Sequence, residues 1–285
     1  MRVILMVNSE CNVRCEHCYL PYSGSRDPED ALGVVSQLQS NGHNVVIAGS
    51  ETLLNPDYLK AYQQAGQNYL LSNGIILDRD KSLYELLRQH GIEKLTFSIH
   101  FGIQQDLKSV PESLVARVIQ ESKRRGFQTQ VTTTITSANY RSIDEMCHKS
   151  VNYGADTLQF DRLVQIGRGT RMESEALTAE QITEFFGQIV EVRKKYPKEV
   201  LEIKPHGNFG PRPGSKGETL ANENSYCPAG RDLVAIDPQN RVYGCPFSMH
   251  PNSVIGRYEN GQVVIDRELL DGKRDTCITH LLTSS

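Results

Sequence analysis

The chain has 285 residues, 38% of them hydrophobic and 23% charged, with a formal net charge of −3 and a pI near 6.3. That length supports one large domain, or one domain with a small appendage, around a buried core. The charge balance offers no basic footprint for nucleic acid or a membrane surface, and no apolar run reaches the roughly 18 residues that a spanning helix needs.

Taken in chain order, "VILMV" (3–7) reads as a buried first strand. "NSEC" follows it at once, which argues against a signal peptide. "PEDALGVVSQLQSNG" (28–42) predicts a helix, with Asp27 as cap and Gly42 as stop. "VVIAG" (45–49) is a second strand, and Asn55 before Pro56 opens the helix of "NPDYLKAYQQAG". Strands follow at 68–74 ("NYLLSNG"), 94–100 ("KLTFSIH"), 128–136 ("QTQVTTTIT") and 157–164 ("TLQFDRLV"). Helices between them are expected at 81–91, at 111–126 starting near Ser109 or Pro111, and at 142–154 capped by Ser142 with Glu145 three residues on. A long amphipathic helix at 177–196 is capped by Thr178.

Six rounds of strand and helix predict a parallel sheet with right-handed crossovers. An open doubly wound sheet and a partial β/α barrel both fit, and both put chemistry at the carboxyl ends of the strands. The pattern breaks at 204–226, a Gly-, Pro- and Asn-rich stretch that reads as a loop. It holds no P-loop pattern; Lys204, Arg212 and Lys216 make it a solvated linker or a mobile substrate loop. "DLVAIDPQNRVYGC" then reads as a β-hairpin, followed by a short tail.

The seven cysteines are Cys11, Cys15, Cys18, Cys147, Cys227, Cys245 and Cys277. In a reducing cytoplasm, where this protein is expected, such thiols serve metals or catalysis more often than disulfides. Cys147, in "DEMCHK", reads as an inert mid-helix thiol. The front group is C-x3-C-x2-C. Structural zinc wants four ligands, and His17 beside Cys18 is poorly placed to be the fourth. Three thiolates suit a [4Fe–4S] cube with one iron left open.

At this point "CNVRCEHCY" resembles the cluster motif of the radical S-adenosylmethionine (radical SAM) enzymes, C-x3-C-x-Φ-C, with His17 where Φ is usually aromatic. The resemblance implies a fold: a partial (β/α)6 TIM-like barrel over residues 1–200, and a linker with a small α+β appendage over 201–285. It also implies that Cys11, Cys15 and Cys18 hold a [4Fe–4S] cluster whose free iron chelates S-adenosylmethionine. Reductive cleavage would yield a 5′-deoxyadenosyl radical that takes hydrogen from an unactivated carbon, with electrons from a donor such as flavodoxin or ferredoxin. "AGSET" is similar to the family's G-G-E, with Gly49 and Glu51 matching and Ser50 replacing the second glycine. Glu51 would accept from the methionine amino group. "SNG" (72–74) resembles T-N-G, and "FSIHFG" resembles S-I-D-G with His100 at the Asp position. The likeness further implies cofactor contacts from His17, Ser98, Thr134 and Asn139, and from Arg162 in "FDRLVQIGRG". The "GRG" itself is too short to argue for a phosphate site.

"CPAGRDLVAIDPQNRVYGCPF" looks like the opening of a SPASM or twitch domain. Three later cysteines fit the twitch form, in which Cys227, Cys245 and Cys277 hold one auxiliary iron–sulfur cluster. His250, Asp275, His280 and Cys147 are candidate fourth ligands, or the site is open to substrate. Relatives of this kind act on ribosomal peptides, protein side chains, or sugars and aminocyclitols. Because the cysteine motif begins at residue 11, the expectation leans to a natural-product or sugar-like small molecule. The alternatives are a peptide delivered by a separate partner, or a non-enzymatic iron–sulfur carrier or sensor.

Overall fold

The apolar runs of the sequence become strands whose two faces meet different surroundings. The computed structural model describes residues 1–21, 23–102, 110–209 and 228–272, with residues 271 and 272 described by backbone alone. Strand β1 (Arg2–Met6) leads to helix α1 (Pro28–Ser40), where the Asp27 carboxylate accepts from the backbone N–H groups of Glu29 and Asp30. This is an N-cap that satisfies donors the helix leaves open. The chain continues through β2 (Asn44–Ala48), α2 (Leu59–Ala65), β3 (Tyr69–Ser72), α3 (Ile75–Arg79), α4 (Leu83–Gln89), β4 (Lys94–Ser98), α5 (Glu112–Arg124), β5 (Gln128–Ile135), α6 (Ile143–Tyr153), β6 (Thr157–Arg162), α7 (Ala179–Lys195) and β7 (Glu202–Pro205). It ends in β8 (Leu233–Ile236), β9 (Arg241–Tyr243), β10 (Val254–Glu259), β11 (Gln262–Ile265) and α8 (Arg267–Gly272).

Strands β3 to β7 form one all-parallel sheet in sequence order. In a second sheet β1 lies between β2 and β8, parallel to both, and β9, β10 and β11 continue antiparallel from β8. The fold is an α/β half-barrel. The hairpin β8–β9 grows from the barrel's own first strand, in the register Arg2↔Leu233 to Leu5↔Ile236. Between β2 and β3 no ladder forms, and the buried side chain of Gln67 bridges the gap: it accepts from Ile47 N–H and donates to the carbonyl oxygens of Ile47 and Tyr69.

Residues facing the helices are fully buried: Val3, Leu5, Leu95, Phe97, Leu158 and Phe160 are all 0% exposed. Their neighbours on the inner face are less uniformly buried: Met6, Thr96 and Gln130 are covered, but others are not. Ile4, Val46, Gln159 and Lys204 are half-buried, and Leu71 is 44% exposed. A closed eight-stranded barrel fills its interior with side chains; this half-barrel leaves part of its inner face open. The lumen is apolar toward β1–β3 and polar toward β4–β7.

Several elements differ from expectation. Strand β7 occupies 202–205, overlapping the stretch read as a loop from 204, because β6 offers it an edge to pair with. Hairpin β10–β11 was not anticipated, although Asn260–Gly261 (φ +49° and +78°) is a recognisable hairpin turn. Ser142 makes no side-chain cap, whereas Thr178 and Gln181 form a full capping box. Ser109 and linker residues 210–226 lie outside the described residues. No helix among the described residues is long and apolar enough to cross a membrane.

Candidate functional site

The loops at the carboxyl ends of the strands are tied together pairwise, beginning beneath the cysteines. Asn8, 1% exposed, lies two residues past β1 and grips the loop after β2: Ser50 N–H donates to both its carbonyl oxygen (3.1 Å) and its Oδ1 (3.0 Å), and Asn8 Nδ2 donates to Glu51 O (3.3 Å). A Cβ on Gly49 would stand 2.2 Å from Asn8 Oδ1, so any larger residue must displace that side chain. Glu51 N–H donates to Glu10 O, which fixes the start of the cysteine loop. The Glu51 carboxylate is 1% exposed and anchors the turn after β3, accepting from Ser72 Oγ (3.0 Å) and Asn73 N–H (2.8 Å). Asn73 reaches on to Asn12 Oδ1 (2.6 Å) and Cys11 Sγ (3.9 Å). Burial pushes the Glu51 carboxyl up to about 7, against the pull of these donors.

The three thiols lie in one loop. Cys11 is exposed, Cys15 and Cys18 are half-buried, and Cys18 N–H donates to Cys15 O. Burial, and then the neighbouring thiols, push Cys15 up to about 11; burial also raises Cys11. Metal coordination reverses this tendency, because a ligating thiol is deprotonated outright. The His17 ring lies 3.7 Å from that of His100, tilted by 53°. Donor atoms of Cys15, His17 and His100 fall within 4.8 Å of one another. Burial and the charge of Arg168 lower His17 to about 4. Burial, then His17, hold His100 well below the usual imidazole range, so both rings are neutral near pH 7. The Nδ1 atoms of both rings are buried without a hydrogen-bond partner.

Facing this loop, Ser98 ends β4, and Thr134 stands level with Asp161 in the β5–β6 register; both Ser98 and Thr134 are half-buried. Asn139 is buried and occupied by the backbone. Its Nδ2 donates to Phe101 O and Thr134 O, and its Oδ1 accepts from Thr136 N–H, so it shapes the loops rather than presenting donors. Arg162 falls on the opposite face of β6 from Asp161. Its Nε and Nη1 are buried with no partner, an arrangement that calls for an anion.

Sequence reading found no use for "GRG", yet it clasps the cysteine loop. Arg168 N–H and Gly169 N–H donate to Cys18 O, and Arg168 Nε donates to Cys15 O at 2.8 Å. The short backbone-to-backbone approach demands small residues, and the two glycines flanking an arginine are the signal that could have revealed it.

Of the rear cysteines, Cys245 is half-buried and its Sγ accepts from Phe247 N–H. Phe247 touches Tyr19 (ring centroids 5.4 Å apart) and His206 (5.1 Å), so the residue after Cys18 meets the residue two beyond Cys245. Burial, then the charges of Asp161, Cys18 and Cys245, raise the Tyr19 hydroxyl. Asp161 itself accepts from Thr132 Oγ1 and Gln159 Nε2 and lies 3.5 Å from His206 Nδ1, a polar cluster that sequence reading did not single out. Cys227, Cys277, Asp275, His280, Arg212 and Lys216 lie outside the described residues. His250 Nδ1 accepts from Asn252 N–H, and Lys204 pairs with Glu202. Cys147 is buried in α6, its thiol pushed up to about 12, mainly by burial.

No protein-family model matches the chain. It is similar to mycofactocin maturase MftC of Mycobacterium tuberculosis, with 26% identity over 267 residues, covering 86% of this chain and 64% of that protein. The chain therefore spans less than two thirds of the length of this relative. It is also similar to the AdoMet-dependent heme synthase of Oleidesulfovibrio alaskensis, 24% identical over 206 residues, covering 66% of this chain and 52% of that one. Among solved structures, SuiB of Streptococcus suis bound to its precursor peptide SuiA superposes with a TM-score of 0.70 at 14% identity, covering 100% of this chain and 66% of that chain.

Proposed function

We propose, because this chain belongs to the radical SAM superfamily, that it binds a [4Fe–4S] cluster and S-adenosylmethionine and uses them to modify a peptide. Cys11, Cys15 and Cys18 hold the cluster. The donor set fits: three thiols in one loop, with neutral imidazoles of His17 and His100 beside it. When bound, the cluster and S-adenosylmethionine supply reductive cleavage and hydrogen-atom abstraction.

The rest is work for the chain's own groups. Glu51 accepts from the cofactor's amino group, and Gly49 and Ser50 set the height of that loop. Arg162, with two buried donors lacking partners, takes the carboxylate. Ser98 and Thr134 line the ribose side, Asn139 holds their loops, and the His17 ring covers the base. The observation that carries this reading is Asn73: Glu51 fixes its backbone while its amide reaches Cys11, so cluster ligand and amino-group acceptor share one residue.

Cys227, Cys245 and Cys277 hold an auxiliary iron–sulfur cluster in the C-terminal part, 201–285. The barrel is residues 1–200, and β7 (Glu202–Pro205), just beyond that boundary, adds an edge strand on β6. The contact of Tyr19 with Phe247 supports an auxiliary site opening toward the barrel mouth.

A peptide replaces the small molecule expected from the position of the cysteine motif. That position carries no weight in a chain spanning 64% of MftC, whereas the likeness to SuiB with its precursor peptide and the partly open inner face favour an extended substrate. The likeness to a heme synthase favours a second reading, a tetrapyrrole substrate. In the deciding experiment, anaerobically reconstituted protein is reduced with dithionite and given S-adenosylmethionine. Release of 5′-deoxyadenosine, lost in Cys15→Ala, is expected. None from iron-loaded protein would leave an electron carrier or sensor. Peptides encoded beside the gene should then change mass; modification of a porphyrin alone would select the second reading.

A further inference from the structure

Arg168 is the one cation bound directly to the backbone of the cysteine loop among the described residues. It follows β6 in the 3-10 segment Gly167–Glu175. Three hydrogen bonds tie this segment to the backbone of the cysteine loop: Arg168 N–H to Cys18 O (2.9 Å), Gly169 N–H to Cys18 O (3.3 Å) and Arg168 Nε to Cys15 O (2.8 Å). Both glycines are required. Gly167 has φ +61°, and a Cβ there would stand 2.9 Å from Cys18 O; a Cβ on Gly169 would stand 2.3 Å from Val164 O. The clasp is therefore held by backbone, and it fixes the guanidinium on the loop instead of leaving it on a flexible stem. No carboxylate forms an ion pair with Arg168 among the described residues, so its charge is not neutralised locally.

A [4Fe–4S] core bound by three thiolates is anionic, and taking up one electron makes it more so. A fixed cation nearby stabilises the reduced state more than the oxidised one. On the basis of the proposed function, we infer that Arg168 is a positioning residue that raises the reduction potential of the front cluster through its charge. The step is uptake of one electron from an external low-potential donor, with no proton moved and no bond broken. A unit charge at about 10 Å and an effective dielectric near 20 changes an equilibrium about tenfold.

The test is a redox titration of reconstituted holoenzyme with dithionite and mediators, followed by electron paramagnetic resonance and normalised to iron content. The front cluster is identified by the signal that changes when S-adenosylmethionine is added. In Arg168→Gln the ratio of reduced to oxidised cluster at fixed potential should fall about tenfold, or about 59 mV for one electron. Arg168→Lys keeps the charge, loses the Nε bond, and should stay near wild type. An unchanged ratio in fully loaded Arg168→Gln overturns the inference. So does a tenfold fall in Arg168→Lys, which decides the matter alone if the glutamine variant fails to load iron. A wild-type protein with no signal responsive to S-adenosylmethionine would instead sink the proposed function on which this rests.

Discussion

Gln67 and Ile47 are joined in both directions: the Gln67 amide donates to the Ile47 carbonyl oxygen at 3.1 Å and its Oε1 accepts from Ile47 N–H at 2.7 Å. One side chain thus imitates a strand partner at the only place between β1 and β7, among the described residues, where neighbouring strands in chain order do not pair. Gln67→Leu would fill the space yet strand buried backbone groups of Ile47 and Tyr69, at about 1–3 kcal/mol for each unsatisfied group. The urea midpoint should drop accordingly, with the m-value unchanged. A loss below about 0.5 kcal/mol would mean that the seam is wet.

Gly49 and Asn8 make a second paired test. Gly49→Ala places a methyl against Asn8 Oδ1, and something must move. The Asn8 side chain is the easier to displace, which breaks its bonds to Ser50 N–H and Glu51 O. The single variant should lose roughly 2 kcal/mol, in the range for overpacking. Adding Asn8→Ala should recover part of that loss, giving a non-additive double-mutant cycle. Strict additivity would show that the alanine is accommodated elsewhere.

Much of this was legible in the sequence, for identifiable reasons. Buried parallel strands are short apolar runs, and α1 and α7 carry their caps in Asp27 and Thr178. Cys11, Cys15, Cys18 and Glu51 could be proposed from spacing and resemblance, because the loops that bear them are local. What stayed hidden depends on contacts between distant segments. The glycines of "GRG" signal a close backbone approach, but they do not say that its partners are Cys15 and Cys18, some 150 residues earlier in the chain. The role of Asn139 as a loop brace appears only when Phe101 and Thr134 are brought beside it. Strand β7 is four residues long, and β6 rather than its own composition makes it a strand.

Glu51 gives a pH signature in protein kept free of iron and cofactor. Its folded pKa of about 7 exceeds the ordinary value of 4.5, so the native state keeps a proton that the unfolded chain releases. Stability should be highest below about pH 4.5 from this group, fall as pH rises toward 7, and level off above. At roughly 1.4 kcal/mol per pKa unit, the loss by pH 8 is about 3 kcal/mol. Glu51→Gln removes the slope, and its amide can still donate to Ser72 Oγ. The variant should be more stable than wild type at pH 8 but fail to retain S-adenosylmethionine after reconstitution. Chemical denaturation at pH 5 and pH 8 checks the sign, and a wild-type stability that rises across that interval in step with the variant's contradicts it.

Iron content separates a cubane from a single ion at the front site. Cys15, His17 and His100 bring their donors within 4.8 Å of one another, which would suit one zinc or iron ion with two imidazoles. If those imidazoles are ligands, His100→Ala should empty the site as thoroughly as Cys15→Ala. If the ligands are Cys11, Cys15 and Cys18, His100→Ala keeps its iron and only Cys15→Ala loses it. The cubane predicts about eight irons per chain when the auxiliary site is also filled, and about four in Cys15→Ala or in Cys245→Ala. Cys15 and Cys245 lie on either side of the Tyr19–Phe247 contact, so each loss should leave the other cluster's absorbance and paramagnetic spectrum in place. A Cys245→Ala protein that still holds the wild-type iron would remove the auxiliary cluster and leave the front thiols as the whole metal complement.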